Sequence, residues 1–172
     1  MLAKISSHTR IAGAVLLPVL LSACASSDVT GVTTASQDAV RSIRVSEVSV
    51  TMQTPKPNPL LEANMKSALE AAMGKCATGT VDHRLAITIT DFEEQDVAKA
   101  ILVGDEIELE GRAKFANAAD ETVTGEYFVE NSFFWGGFVG AAMMSDAEKQ
   151  LSEDFAANLC EEVFGVDLKQ QG

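Results

Sequence analysis

Cysteine and histidine are the residue types in this chain with the most chemistry to offer. The three cysteines, Cys24, Cys76 and Cys160, form no C-x-x-C pair, so thiol–disulfide catalysis is not indicated. His83 is the one histidine after residue 23, and neither a second histidine for a metal site nor a Gly-x-Ser-x-Gly motif accompanies it. We expect His83 to be a partly exposed residue at a strand end. The sequence therefore predicts no catalytic residue, no metal site and no enzymatic activity.

Acidic side chains are concentrated in two stretches. The four acids within residues 91–96 lack the glycine and the terminal glutamate of an EF-hand loop, so we expect a solvated loop. The glutamates at positions 106, 108 and 110 alternate with apolar residues, which predicts the water-facing side of a strand.

The first 23 residues have the three-part pattern of a secretory signal. Residues 1–10 contain Lys4 and Arg10 but no acid, and residues 11–21 are almost wholly apolar. Ser22-Ala23 then supplies the small residues that a signal peptidase needs. The apolar run is about half of the ~20 residues that span a bilayer, so we expect residues 1–23 to be a cleaved signal peptide.

The end of that apolar run, Leu21-Ser22-Ala23-Cys24, resembles a bacterial lipobox. The resemblance implies that Cys24 carries a covalent lipid and becomes the first residue of the mature protein; the alternative is an ordinary signal peptide with a cysteine near its end. Several acyl chains, at about 0.8 kcal/mol per buried methylene, make such an anchor permanent. In these lipoproteins an aspartate after the cysteine favours the inner membrane. Ala25 stands there instead, which implies the periplasmic face of the outer membrane.

The chain is strongly acidic. Its formal net charge is −12, and removal of residues 1–23 takes away two basic and no acidic side chains, which leaves −14. Nucleic acids and polybasic membrane contacts both require lysine and arginine facing phosphate. We therefore expect no nucleic-acid partner, and a membrane partner only through the lipid.

The mature chain divides into a short linker and one domain. Residues 24–36 comprise the lipidated cysteine and a Ser/Thr/Ala/Gly-rich segment without helical or strand periodicity, which predicts a flexible tether. Residues 37–172 are long enough for a single domain with its own core.

The first half of this domain is predicted to be a strand followed by a helix. The β-branched residues of Val40–Met52 change phase near Ser46-Glu47, which indicates a strand with a bulge. Asn58-Pro59 has the residue types of a helix N-terminus, and Leu and Met then recur at helical spacing until Gly74, where we expect the helix to end.

Three strands and a final helix follow. Apolar and polar positions alternate in residues 83–92, 105–115 and 122–130, which predicts three strands. For the last two strands we expect a register in which Phe115 pairs with Val123, Gly111 with Tyr127 and Arg112 with Glu126. Residues 145–148 fit a capping box, after which apolar side chains recur every fourth residue until a terminal glycine. The predicted fold is α+β in the order β-α-β-β-β-α: a four-stranded, mainly antiparallel sheet with two helices on one face.

In this topology the two helices run parallel, with Cys76 and Cys160 near their C-terminal ends. In an oxidising periplasm they would form a disulfide; the alternative is two buried free thiols.

An uncharged segment, Ser132 to Met144, joins the last strand to the last helix and is too short to cross a bilayer as a helix. It could fold over the core, or it could form an exposed patch that contacts a partner or lipid. Its candidate contact residues are Phe133, Phe134, Trp135 and Phe138.

This order of elements behind a lipobox resembles the small α+β lipoproteins of Gram-negative outer membranes, including the lipopolysaccharide-assembly and transport-auxiliary types. The resemblance implies a non-enzymatic envelope protein that binds or scaffolds a transport or assembly complex, with an envelope protein as partner. A second hypothesis is a periplasmic carrier that holds a lipid or other apolar ligand between sheet and helices.

Overall fold

The computed structural model describes residues 25–94, 96–102, 104–135 and 146–171. Cys24, Phe138 and the first residue of the expected capping box, Ser145, lie outside these ranges. The strands are β1 (Ala25–Thr33), β2 (Ile43–Met52), β3 (Val81–Glu93), β4 (Asp105–Asn117) and β5 (Val123–Trp135). The helices are α1 (Gln37–Ser42), α2 (Pro59–Cys76), α3 (Val97–Leu102) and α4 (Ala147–Phe164), followed by a 3-10 turn at Lys169–Gln171.

The α+β class is confirmed, but the predicted strand number and the order β-α-β-β-β-α are wrong. The chain adds β1 and the short helices α1 and α3, and α1 occupies residues 37–42, where the first strand was expected to begin. The sheet has five strands in the order β1-β5-β4-β3-β2. β2 and β3 are parallel, whereas the other neighbouring pairs are antiparallel. The parallel pair follows from α2, because a helical crossover of this length returns the chain to the same end of the sheet.

The extra strand is β1, so the prediction of a flexible tether is wrong for residues 25–33. β1 pairs with β5 along its length, and half-buried Val29 packs against the core. Polar side-chain contacts also hold β1 against β5: the Ser27 hydroxyl is hydrogen-bonded to the Asn131 side-chain amide at 2.7 Å. A strand held mainly by main-chain and polar bonds needs no alternation of apolar residues, which is why the sequence gives it no strand signal.

Helices α2 and α4 pack side by side over one face of the sheet. The Asn58 side-chain oxygen accepts hydrogen bonds from the backbone N–H groups of Leu60 and Leu61, both at 3.1 Å, so the predicted N-terminus of α2 is confirmed. The helix continues through Gly74 to Cys76, contrary to the prediction. The apolar stripe of α4 is buried as predicted, and the helix ends at Gly165, whose φ of 69° is the left-handed conformation that glycine adopts without strain.

The β2 bulge is confirmed between Val45 and Glu47. The predicted β4–β5 register is wrong by two residues, because Phe115 pairs with Gly125 rather than Val123. A two-residue shift keeps each side chain on its face of the sheet, so Arg112 still reaches Glu126, with the ion pair now diagonal at 3.3 Å.

The register shift also changes what lies over Gly111, which pairs with Val129 rather than Tyr127. A β-carbon at Gly111 would lie 3.3 Å from the Phe155 ring. Phe155 of α4, not Tyr127, therefore fills this gap. None of the helices in the described ranges has the length and hydropathy needed to cross a membrane.

Candidate functional site

The two cysteines near the C-terminal ends of α2 and α4 form a disulfide, as predicted. The Sγ atoms of Cys76 and Cys160 are 2.07 Å apart and the Cα atoms 5.8 Å apart. Both residues are buried in the core. The bridge therefore fastens the helical layer and leaves neither of these thiols available for chemistry.

His83 is buried, so the expectation of a partly exposed residue is wrong. Only 3% of its surface is accessible, because it lies on the same side of β3 as the core residue Leu85. Its Nδ1 lies 2.8 Å from the Val81 carbonyl oxygen, and its Nε2 lies 3.0 Å from the Thr124 hydroxyl. Both ring nitrogens are thus engaged within the fold, which gives His83 a structural role between β3 and β5.

The segment predicted to make contacts begins inside the sheet. Phe133 lies between Ala25 of β1 and Ile107 of β4 in the strand register, and its partly buried side chain packs against the core. This register puts Ala25, the residue after Cys24, beside the C-terminal end of β5. Phe133 is therefore a packing residue of the sheet.

Phe134 points to the other side of the sheet and is 46% exposed. Its ring lies directly over Gly104, where a β-carbon would overlap it. Two residues before Gly104, at the end of α3, Leu102 is 81% exposed. Trp135, the next predicted contact residue, pairs in register with Asp105 at the start of β4. Sequence reasoning missed Leu102, which is the last residue of a short helix that carries no amphipathic pattern.

Helix α3 is held against the start of β4 by Asp105. The Asp105 carboxylate forms an ion pair with Lys99 and accepts a hydrogen bond from the Asp96 backbone N–H at 2.8 Å. Lys99, followed by the Asp96 N–H, lowers the pKa of Asp105 below its ordinary value. These contacts fix the position of Leu102 relative to Phe134.

Leu102 and Phe134 lie at the end of the sheet where β1 begins, and Leu60 lies at the same end on the side of the helices. Leu60, in the first turn of α2, is 63% exposed. The Asn58 side-chain N–H₂ places this turn at the same end of the sheet, because it donates hydrogen bonds to Glu94 (3.2 Å) after β3 and to Glu148 (2.8 Å) in α4.

The face of the sheet away from the helices carries carboxylates in register. Asp28, Glu130, Glu110 and Asp91 are successive cross-strand partners on β1, β5, β4 and β3. Burial, followed by Glu110 and Glu130, raises the pKa of the adjacent Glu108. Among the described residues, no group of histidines, cysteines and acids is arranged to hold a metal ion.

The space between sheet and helices is filled by the core. Leu69 of α2, Leu109 of β4 and Phe155 of α4 are each fully buried there. A ligand between sheet and helices would have to displace such side chains. A groove of about 470 Å³ lies between α2 and α4 on the side away from the sheet.

No protein family and no curated protein matches this chain. Among solved structures it is similar to a Xanthomonas campestris protein of the DUF330 family, with 16% identity, 83% of this chain and 97% of the other covered, and a TM-score of 0.45. It is also similar to the PelC dodecamer of Paraburkholderia phytofirmans (12% identity, coverage 77% and 95%, TM-score 0.43). A minor lipoprotein of Acinetobacter baumannii is a third (12% identity, coverage 69% and 92%, TM-score 0.34). Similarity at this level carries no argument about the task of this chain.

Proposed function

We propose that this chain is a non-enzymatic lipoprotein of the bacterial outer membrane. Lipid on Cys24 anchors it, and its domain faces the periplasm, where it binds or scaffolds a protein component of a transport or assembly complex. The observation that carries the proposal is the position of β1. This strand begins at Ala25, one residue after the lipobox cysteine, and Ala25 pairs with Phe133 in the sheet.

This position has a mechanical consequence. A residue spans at most about 3.6 Å, so a lipid on Cys24 would hold the end of the sheet close to the headgroups instead of letting the domain move on a long tether. Such a protein would act as a fixed platform. A binding role is favoured over catalysis, because both ring nitrogens of His83 are hydrogen-bonded within the fold and Cys76 and Cys160 are joined in a disulfide.

Membrane fractionation of wild type, Cys24→Ser and Ala25→Asp proteins tests the anchor and its address. We expect wild type in the outer membrane, Cys24→Ser released or left uncleaved, and Ala25→Asp shifted to the inner membrane. If Cys24→Ser fractionates as wild type does, the anchor proposal is wrong. If Ala25→Asp stays in the outer membrane, only the address is unsupported.

The scaffolding role is tested on detergent-solubilised wild-type protein. An envelope protein that co-purifies in fixed stoichiometry with it would support scaffolding. A lipid extracted in fixed stoichiometry, with no protein, would instead point to the carrier hypothesis.

A further inference from the structure

The two edges of the sheet differ in how well they are protected against a further strand. Within the described residues the sheet ends at β1 on one side and at β2 on the other. β2 has a bulge between Val45 and Glu47, and it carries charged side chains at Arg44 and Glu47, features that discourage pairing with another chain. β1 contains no basic residue and no proline, and its pairing with β5 is regular from Ala25 to Gly31. The open edge is therefore that of β1.

The backbone of β1 is accessible to another chain. Every second residue of an edge strand directs its N–H and C=O groups away from the sheet. From residue 26 to residue 33, every side chain is exposed except that of Val29, which is half-buried against the core. An extended segment of another protein can therefore form main-chain hydrogen bonds along β1. In binding of this kind the main chain supplies affinity, and the side chains supply specificity.

The carboxylates on the face away from the helices decide that specificity. Asp28 stands at the open edge and ends the row whose other members are Glu130, Glu110 and Asp91. None of the ion pairs within the described ranges includes any of the four. The Thr30 hydroxyl donates a hydrogen bond to Asp28 at 3.2 Å but brings no charge. Because like charges directly opposite each other destabilise a sheet, a strand added to β1 is favoured if it places a lysine or arginine opposite Asp28.

A second copy of this chain does not meet this requirement. β1 has neither lysine nor arginine, so pairing of two β1 strands would leave Asp28 without a cation. Arg44 is the one basic residue of β2, and it already forms an ion pair with Asp82 at 2.7 Å. The occupant of the edge is therefore a different protein.

We propose that the open edge of β1 binds an extended segment of a partner protein as a further strand, with a lysine or arginine of that segment opposite Asp28. This strand addition rests on the scaffolding role proposed above and gives its partner a chemistry and a place. The neighbouring side chains of the segment on the same face would lie opposite Ser26 and Thr30, where small polar or β-branched residues fit a sheet.

Selection from a random peptide library tests the proposal on the lipidated mature protein in detergent. Random peptides of nine residues, the length of β1, are displayed on phage. They are selected against wild type, against Asp28→Lys, which reverses the charge at the end of the row, and against Glu70→Lys. The last variant is the matched control, because it makes the same change of charge on α2, away from β1.

We expect wild type and Glu70→Lys to enrich peptides in which a basic residue stands among alternating β-branched residues. Asp28→Lys should lose this preference or replace it with a preference for an acid. For the peptide most enriched on wild type, Asp28→Lys should raise Kd about tenfold, because an attractive cross-strand pair becomes a repulsive one. Mass spectrometry of each variant confirms the Cys76–Cys160 disulfide, so that a loss of binding is not a loss of fold.

Hydrogen exchange followed by NMR locates the enriched peptide. Addition of the peptide should slow exchange of alternate amides in β1 and leave the amides of the opposite edge strand, β2, unchanged. Protection of β2 instead of β1 would overturn the proposed strand addition. So would a library that yields no enriched peptide, a basic preference that survives Asp28→Lys, or self-association through β1 in place of peptide binding.

Failure of the strand addition is distinguishable from failure of the proposed function. An envelope protein that co-purifies equally with wild type and with Asp28→Lys supports scaffolding and overturns binding at β1. A protein without lipid that still selects basic peptides refutes the anchor and leaves binding at β1 standing. A lipidated protein that selects none is anchored, but its β1 edge is not a binding site.

Discussion

The Cys76–Cys160 disulfide gives the most quantitative prediction. The two cysteines are 84 residues apart, so reduction releases a long loop in the unfolded chain. The chain-entropy relation for a loop of this length gives about 4.5 kcal/mol of stabilisation. For a domain of this size the entropy of unfolding is about 0.3 kcal/mol/K, so removing the bridge should lower Tm by about 15 °C.

The assay is urea denaturation of Cys76→Ala, Cys160→Ala and the double variant, each beside the oxidised wild type. All three variants lose the same bridge, so each should lose about 4 kcal/mol, and the double variant should lose no more than either single one. Wild type with dithiothreitol should match them. A loss under about 1 kcal/mol, or losses that add in the double variant, would refute the reasoning, because each cysteine would then contribute by packing rather than by the bridge.

Three further predictions concern charge and backbone space. Glu110→Gln removes one charge from the row of carboxylates and should raise the free energy of unfolding by about 0.5 kcal/mol at low salt and by less at 1 M salt. The control Glu70→Gln on α2 should not stabilise the protein. Thermal melts at both salt concentrations test this, and equal effects of the two substitutions would contradict it. Burial and neighbouring acids raise the pKa of Glu108, so it contributes stability below the ordinary pKa of glutamate, and this is lost as pH rises through the folded-state pKa. As the pH falls from 7 to the ordinary pKa of glutamate, the free energy of unfolding should therefore rise more for wild type than for Glu108→Gln; equal changes in urea titrations would contradict this. A β-carbon at Gly79 would overlap the main chain just before β2, so Gly79→Ala should lower the free energy of unfolding by about 2 kcal/mol. A β-carbon at Gly74 would have nothing within 4 Å, so Gly74→Ala in α2 should raise it by about 0.5 kcal/mol. Equal stability of the two variants in urea denaturation would contradict this prediction.

Elements governed by local chemistry were predictable from the sequence. The start of α2 at Asn58 and the end of α4 at Gly165 depend on the capping preferences of single residues. The buried face of α4 follows from apolar spacing, and the β2 bulge from a phase change in that spacing. The disulfide followed once two parallel helices placed Cys76 and Cys160 at the same end.

Features decided by partners distant in sequence were not predictable. β1 is a strand because it pairs with the edge of the sheet formed by β5. Its own residues carry no pattern that distinguishes it from a tether. The β4–β5 register depends on the residues at the turn, where Glu121 has a φ of 60°, and the face pattern tolerates a shift of two.

The exposed surface could be predicted only in part. Phe133 and Phe134 are neighbours of the same residue type, and only the strand register shows which one packs against the core. The Phe134 ring lies over Gly104, two residues after the exposed Leu102, and no spacing rule predicts this arrangement.

The intact mass of the native protein purified from membranes tests the central claim most directly. A lipid anchor on Cys24 predicts a chain that begins at residue 24 and carries the added mass of a diacylglyceryl group and an amide-linked acyl chain, all of it on the N-terminal peptide. A chain that carries no lipid mass, whether it begins at residue 24 or elsewhere, would contradict the anchor and with it the position of the domain at the membrane.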